Sequence, residues 1–223
     1  MTTVRSVLTL KAFCDVCKTP WRTRTYCHKQ EDGYNCVMSE MKKQVNPASY
    51  IVERDHPVLR AVARTIEKEE IGTPALSEIL RRMNAALDSQ DDGVAIAAPQ
   101  IGESLRIFII SKKAYGLGYG SEERDIPKTN TVFINPKITK LSRERKDMEE
   151  GCLSVRHLYG IVKRAQKASI EAWDEEGKKF TRGGSGLIAE IFQHETDHLE
   201  GVLFIDKARD IRDLPPPSLS KKA

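Results

Sequence analysis

The chain has 223 residues, 39% hydrophobic and 30% charged, enough for one ordinary domain with an appendage. No run of about eighteen apolar residues occurs, which excludes a membrane-spanning helix. The formal excess of +4 falls within the first fifty residues, where eight Lys/Arg face four acids; the balanced remainder does not read as a nucleic-acid binder.

Three regions follow in order. Residues 1–48 are basic and cysteine-rich, with Cys14, Cys17, Cys27 and Cys36. Cys14-x2-Cys17 is good chelating geometry, whereas Cys27 and Cys36 are spaced too widely for a standard ribbon or knuckle. A structural Zn²⁺ held by the four is one reading; the others are a loosely ordered basic extension, able to touch ribosomal RNA through charge alone, and an upstream stretch not used in the mature protein. The N-terminus lacks the apolar core and cleavage site of a secretory signal. Acids are absent before Asp15, as in an organelle transit peptide, but the cysteines and Asp15 itself argue against one. Residues 49–212 form a continuously patterned body, and 213–223, "DLPPPSLSKKA", a flexible Pro-rich tail.

Within the body, Thr73-Pro74 opens a helix with a capping residue and a first-turn proline. Leu76, Ile79, Leu80, Met83 and Leu87 recur at helical spacing, and "DDG" at 91–93 stops the run. "LRIFII" (105–110) and "TVFIN" (131–135) are β-rich apolar runs, and "ASIEAW" (168–173) with "KKF" (178–180) reads as a hairpin. Gly183, Gly184 and Gly186 are expected to turn the chain into a last helix that carries Leu187, Ile188, Ile191 and Leu199. Strands first and a long helix last indicate an α+β fold, antiparallel sheets packed around a central helix.

That helix also carries His194-Glu195-x-x-His198. Histidines at i and i+4 sit one above the other, so the pair can grip one ion while Glu195 approaches from the side. A catalytic metal needs a third ligand. Phe204 stands where a metzincin protease would have histidine, and no glutamate follows Glu200. Cys152, in "EEGCLSV" (149–155), is the remaining strong candidate and the only cysteine of the body. A His2Cys set suits zinc or ferrous iron. A lone cysteine of this kind suggests a ligand, not half a disulfide, and a reducing compartment.

"GVAIAAPQ" (93–100), "EGCLS" (150–154) and "QHETDH" (193–198) resemble, in the right order, the three motifs of the peptide deformylase family. The likeness runs from about Tyr50 to Arg212 and includes "HPVLR" (56–60) and "GVLFID" (201–206). It implies that Cys152, His194 and His198 hold a divalent metal, Fe²⁺ in the cell, with Zn²⁺, Ni²⁺ or Co²⁺ able to substitute. Glu195 would be general base toward the metal-bound water, and Gln100 with the backbone N–H of Leu153 would meet the oxyanion. The substrate positions it implies are Gly93, Val94, Ala95, Gly151, Arg164, Leu187 and Ile191. The reaction implied is removal of the formyl group from N-formyl-methionyl peptides near the ribosome. A monomer in the bacterial cytoplasm is the expected setting, with a mitochondrion or plastid as the alternative.

Two positions depart from the family pattern. Ala95 replaces a glycine, which costs if the site needs positive φ, and Arg156 stands where proline is frequent, at the rim. His56 and His157 read as structural and surface-loop residues. Glu190, four before His194, reads either as an exposed or ion-paired position or as a contact to the peptide beyond methionine. The rival functions are a deacylase or peptidase of different acyl preference, and a non-catalytic binding protein on the same fold. No basic C-terminal docking helix follows Arg212.

Overall fold

The computed structural model describes residues 24–30, 33–39, 46–117 and 127–214, and the chain divides into two units, 1–45 and 46–223. In the first, β1 (Arg24–Gln30) pairs antiparallel with β2 (Gly33–Ser39), and Cys27 stands directly opposite Cys36. Cys14 and Cys17 lie outside the described residues, as does the tail from 215 onward.

Alternation along three strands organises the second unit. In β3 (Ala95–Ala97), β4 (Ile107–Ile110) and β5 (Thr131–Leu141) successive side chains point to opposite faces, yet in β3, β4 and the first half of β5 nearly all are buried. Such a sheet must be covered on both sides. One face, with Ile96, Ile107, Ile109 and Ile134, receives α1 (Pro74–Asp88) through Leu76, Leu80, Met83 and Leu87. The other, with Ala97, Phe108, Ile110 and Phe133, receives α3 (Leu187–Leu199) through Ile188, Ile191, Phe192 and Leu199. Phe133 stacks on Phe108 at 4.6 Å between centroids and meets Phe192 edge-on at 5.6 Å. It is fully buried, so Phe133→Ala would cost about 3–5 kcal/mol.

The sheet runs β3-β4-β5-β8-β9, all antiparallel, with β8 (Lys167–Trp173) and β9 (Lys179–Ser185) forming the expected hairpin. The short α2 (Lys112–Leu117) leads out of β4. A second sheet, β10-β7-β6, is built from β6 (Arg145–Cys152), β7 (Val155–Ala165) and β10 (Arg209–Asp213). Val155, Val162, Leu203, Phe204 and Leu59 form its own small core.

Three features differ from the sequence reading. β5 continues past Asn135 through Pro136. The register shifts between Ile134 and Lys137, and Asn135 has φ 49°, so the proline sits at a bulge where it removes no needed ladder bond. Gly183 and Gly184 belong to β9 and do not form the turn. A Cβ on Gly184 would lie 2.4 Å from Cγ2 of Ile188, so glycine lets strand and helix approach. Gly186 alone, at φ 54°, turns the chain into α3. Finally, β6, β7 and β10 escaped notice because β6 and β10 are largely exposed and carry charge instead of an apolar alternation.

Candidate metal centre

α3 starts at Leu187 and buries its apolar stripe against the large sheet, which aims the adjoining stripe, Leu187, Glu190, Ile191 and His194, into a cleft of about 560 Å³. The opposite wall comes from the end of β6 and the turn into β7, where Cys152 pairs with Val155. The edge of β3 completes it with Gly93, Val94 and Ala95.

Helix and hairpin bring Cys152, His194 and His198 together, one donor atom from each lying within 4.8 Å of the others. Cys152 Sγ is 3.3 Å from His198 Nε2. Roughly 3.5 Å is the donor–donor edge of a tetrahedron with metal bonds of about 2.1–2.3 Å, so the residues fit a divalent ion. Burial alone would raise the Cys152 thiol, but the two imidazoles outweigh it and lower the group from 9.0 to about 5. That favours the thiolate, the form a metal requires.

The ligands are themselves held. His194 Nδ1 bonds Glu150 Oε2 at 2.8 Å, which keeps the proton on Nδ1 and turns Nε2 toward Cys152. Glu150 receives both Nε and Nη2 of Arg164, at 2.6 and 2.9 Å. Arg164 Nη1 bonds Asp197 at 2.7 Å, and Asp197 also takes Lys207 at 2.7 Å. Burial resists ionisation of Glu150, yet Arg164 and His194 hold it at about 2.

Glu195 is 4% exposed and its Oε2 has no partner among the described residues. Burial pushes its carboxyl up to about 7. Gln100 is 1% exposed. Its Oε1 accepts from the Ala97 N–H at 2.8 Å, which directs Nε2 to Cys152 Sγ and Ser154 Oγ, each at 3.4 Å. Leu153 lines the same space.

Of the expected substrate positions, Gly93, Val94, Ala95, Gly151, Leu187 and Ile191 all line the cleft. Ala95 is an ordinary strand residue, absent from the positive-φ positions, so its methyl adds no strain. A Cβ on Gly151 would meet the Tyr159 ring at 2.8 Å. Arg164 is a correction: its side chain is 5% exposed, paired with two carboxylates and not among the residues that line the cleft, so it braces the site from behind. His157 is exposed, as expected, but it belongs to β7 and not to a loop, at φ 68°, and it lines the cleft. Arg156 also lines the cleft; it donates to Gln90 Oε1 and lies 3.9 Å from Asp92. His56 caps a short 3₁₀ turn, accepting from the Val58 N–H at 3.3 Å. Glu150 was missed altogether, although it directly precedes the Gly-Cys pair. Nothing local marks it, because its partners His194 and Arg164 are distant in the chain.

A thiolate with two imidazoles, a buried carboxylate beside them and an open cleft leading in together define a metal-dependent hydrolase. Residues 48–213 match the family model for polypeptide deformylase. A peptide deformylase of Carboxydothermus hydrogenoformans is 38% identical over 161 residues, 72% of this chain and 93% of that one. The chloroplastic peptide deformylase 1A of Solanum lycopersicum is 33% identical over 180 residues, 78% and 64%. The Met-Ala-Ser-bound class I type b peptide deformylase of Acinetobacter baumannii superposes with a TM-score of 0.61 at 31% identity, over 70% of this chain and 96% of that structure. The chain belongs to the peptide deformylase family, metal-dependent hydrolases that remove the formyl group from the N-terminus of nascent polypeptides.

Proposed function

We propose that Cys152, His194 and His198 hold the metal, that Glu195 moves the proton, and that Gln100 and Leu153 meet the developing negative charge. The observation that carries this reading is the convergence of the three donors beside an unpartnered, buried Glu195 Oε2. When bound, a divalent metal supplies a Lewis acid that polarises the formyl group and makes water acidic enough to attack near neutral pH. Glu195 Oε2 would accept the water proton and return it to the departing amine nitrogen, work suited to a buried carboxylate oxygen that no other group occupies. Gln100 Nε2, fixed by its Oε1 bond to Ala97, would donate to the oxyanion without having to reorganise, joined by the N–H of Leu153 from the cleft wall. Val94, Leu187 and Ile191 offer an apolar seat for the methionine side chain.

Fe²⁺ is the proposed native metal, since a thiolate with two imidazoles accepts several divalent ions and availability decides among them. The protein is proposed to act as a monomer on chains near the ribosome, in the bacterial cytoplasm or in an organelle. Among the described residues no helix is long and apolar enough to cross a membrane. Formate release from formyl-Met-Ala-Ser, with acetyl-Met-Ala-Ser in parallel, tests the assignment in anaerobically prepared, Fe²⁺- or Ni²⁺-loaded protein. Glu195→Ala is expected to retain metal and release no formate; Cys152→Ala is expected to lose both. Equal turnover of the two peptides would replace the deformylase reading with a broader deacylase.

A further inference from the structure

Glu190 stands one helical turn before His194, on the stretch of α3 that lines the cleft between Leu187 and Ile191. It is half-buried, and among the described residues no donor or cation meets its carboxylate. The other cleft acids away from the metal ligands are matched: Asp92 faces Arg156 and Glu149 bonds Arg212. Arg164, the buried cation behind the wall, is committed to Glu150 and Asp197. Burial, and then the Glu150 charge, push the Glu190 carboxyl up to about 7, outweighing the pull of His194 and Arg164, neither of which bonds it. A desolvated carboxylate without a partner is unfavourable, and what remains to meet it is whatever fills the cleft.

The substrate narrows the choice. Formylation removes the charge of the N-terminus, and methionine carries none. The charges a nascent peptide brings into this cleft therefore belong to the side chains that follow. We propose that Glu190 is a specificity-determining residue that makes the cleft favour a cationic over an anionic side chain at the second or third position of the peptide. The inference rests on the deformylase reading above.

The test compares kcat/KM for C-terminally amidated formyl-Met-Lys-Ser, formyl-Met-Glu-Ser and formyl-Met-Ala-Ser, and for the set with the charge moved to the third residue. Metal-loaded full-length protein and Glu190→Gln are assayed at pH 8 and low salt. The expected result is a Lys-to-Glu ratio of about fivefold or more at one of the two positions. It should fall below about twofold in Glu190→Gln and shrink on adding salt. Because each ratio is taken within one enzyme, a general loss of activity or folding cancels. A ratio near one at both positions in the wild type, or a preference that survives Glu190→Gln, overturns the proposal. Formate from the alanine peptide with flat ratios would sink the role of Glu190 alone, whereas no formate from any peptide would sink the deformylase reading itself.

Discussion

Replacing Arg164 by methionine probes the brace behind the metal centre. The side chain keeps its length but loses a charge that faces Glu150, 1% exposed, and Asp197, 17% exposed. Asp197 retains Lys207 at 2.7 Å and is not stranded. Glu150 retains only His194 and becomes a nearly unpaired buried carboxylate, a change that costs about 3–5 kcal/mol. For a unit of this size each kcal/mol lowers Tm by roughly 2–4 °C, so a drop of about 6–20 °C is expected in metal-free protein. Adding Glu150→Gln removes the stranded charge and should recover about 1–3 kcal/mol, a coupling that thermal melts or urea titrations of the double-mutant cycle read directly. Arg164→Met within about 1 kcal/mol of wild type, or a second substitution that only adds to the loss, would refute the buried-triad account.

Other consequences are checked the same way. Gln100→Leu removes the side-chain donor and should lower kcat by roughly 10²–10³ while metal content stays at one equivalent per site; an unchanged kcat would remove Gln100 from the oxyanion site. Glu190→Gln has a pH signature in stability. The folded carboxyl titrates near 7 against 4.5 in the unfolded chain, so the ionised group destabilises the protein increasingly as pH rises from about 4.5 to 7 and by a constant amount above. The variant should therefore match wild type at pH 4 and exceed it by at most about 3 kcal/mol at pH 8, as urea unfolding at the two values will show. In the N-terminal hairpin, Cys27→Ser is expected to cost one zinc equivalent by elemental analysis if Cys27 and Cys36 chelate with Cys14 and Cys17. Equal metal in variant and wild type would exclude that site.

The chemistry of this protein was legible because its metal grip is local. His194 and His198 are joined by a single helical turn, and helix geometry alone places them on one face; Cys152 could be chosen because the body offers no rival thiol. The central strands were legible for a similar reason, since Phe108, Ile109 and Ile110 must be buried on both sides wherever the chain goes. What needed the tertiary structure were partnerships between distant, polar residues. Glu150 reads as one acid among many until β6 pairs with β7 and α3 closes over it, which turns an ordinary carboxylate into the clamp on His194. Arg164 reads as a cleft residue until the same closure buries it between two carboxylates. Glu190 shows the reverse, a charge that sequence would leave in water and that packing leaves facing the cleft without a partner. Apolar periodicity survives as a one-dimensional signal because burial is nearly additive along an element. Ionic partnerships do not, because the energy of a charge depends on what surrounds it on every side.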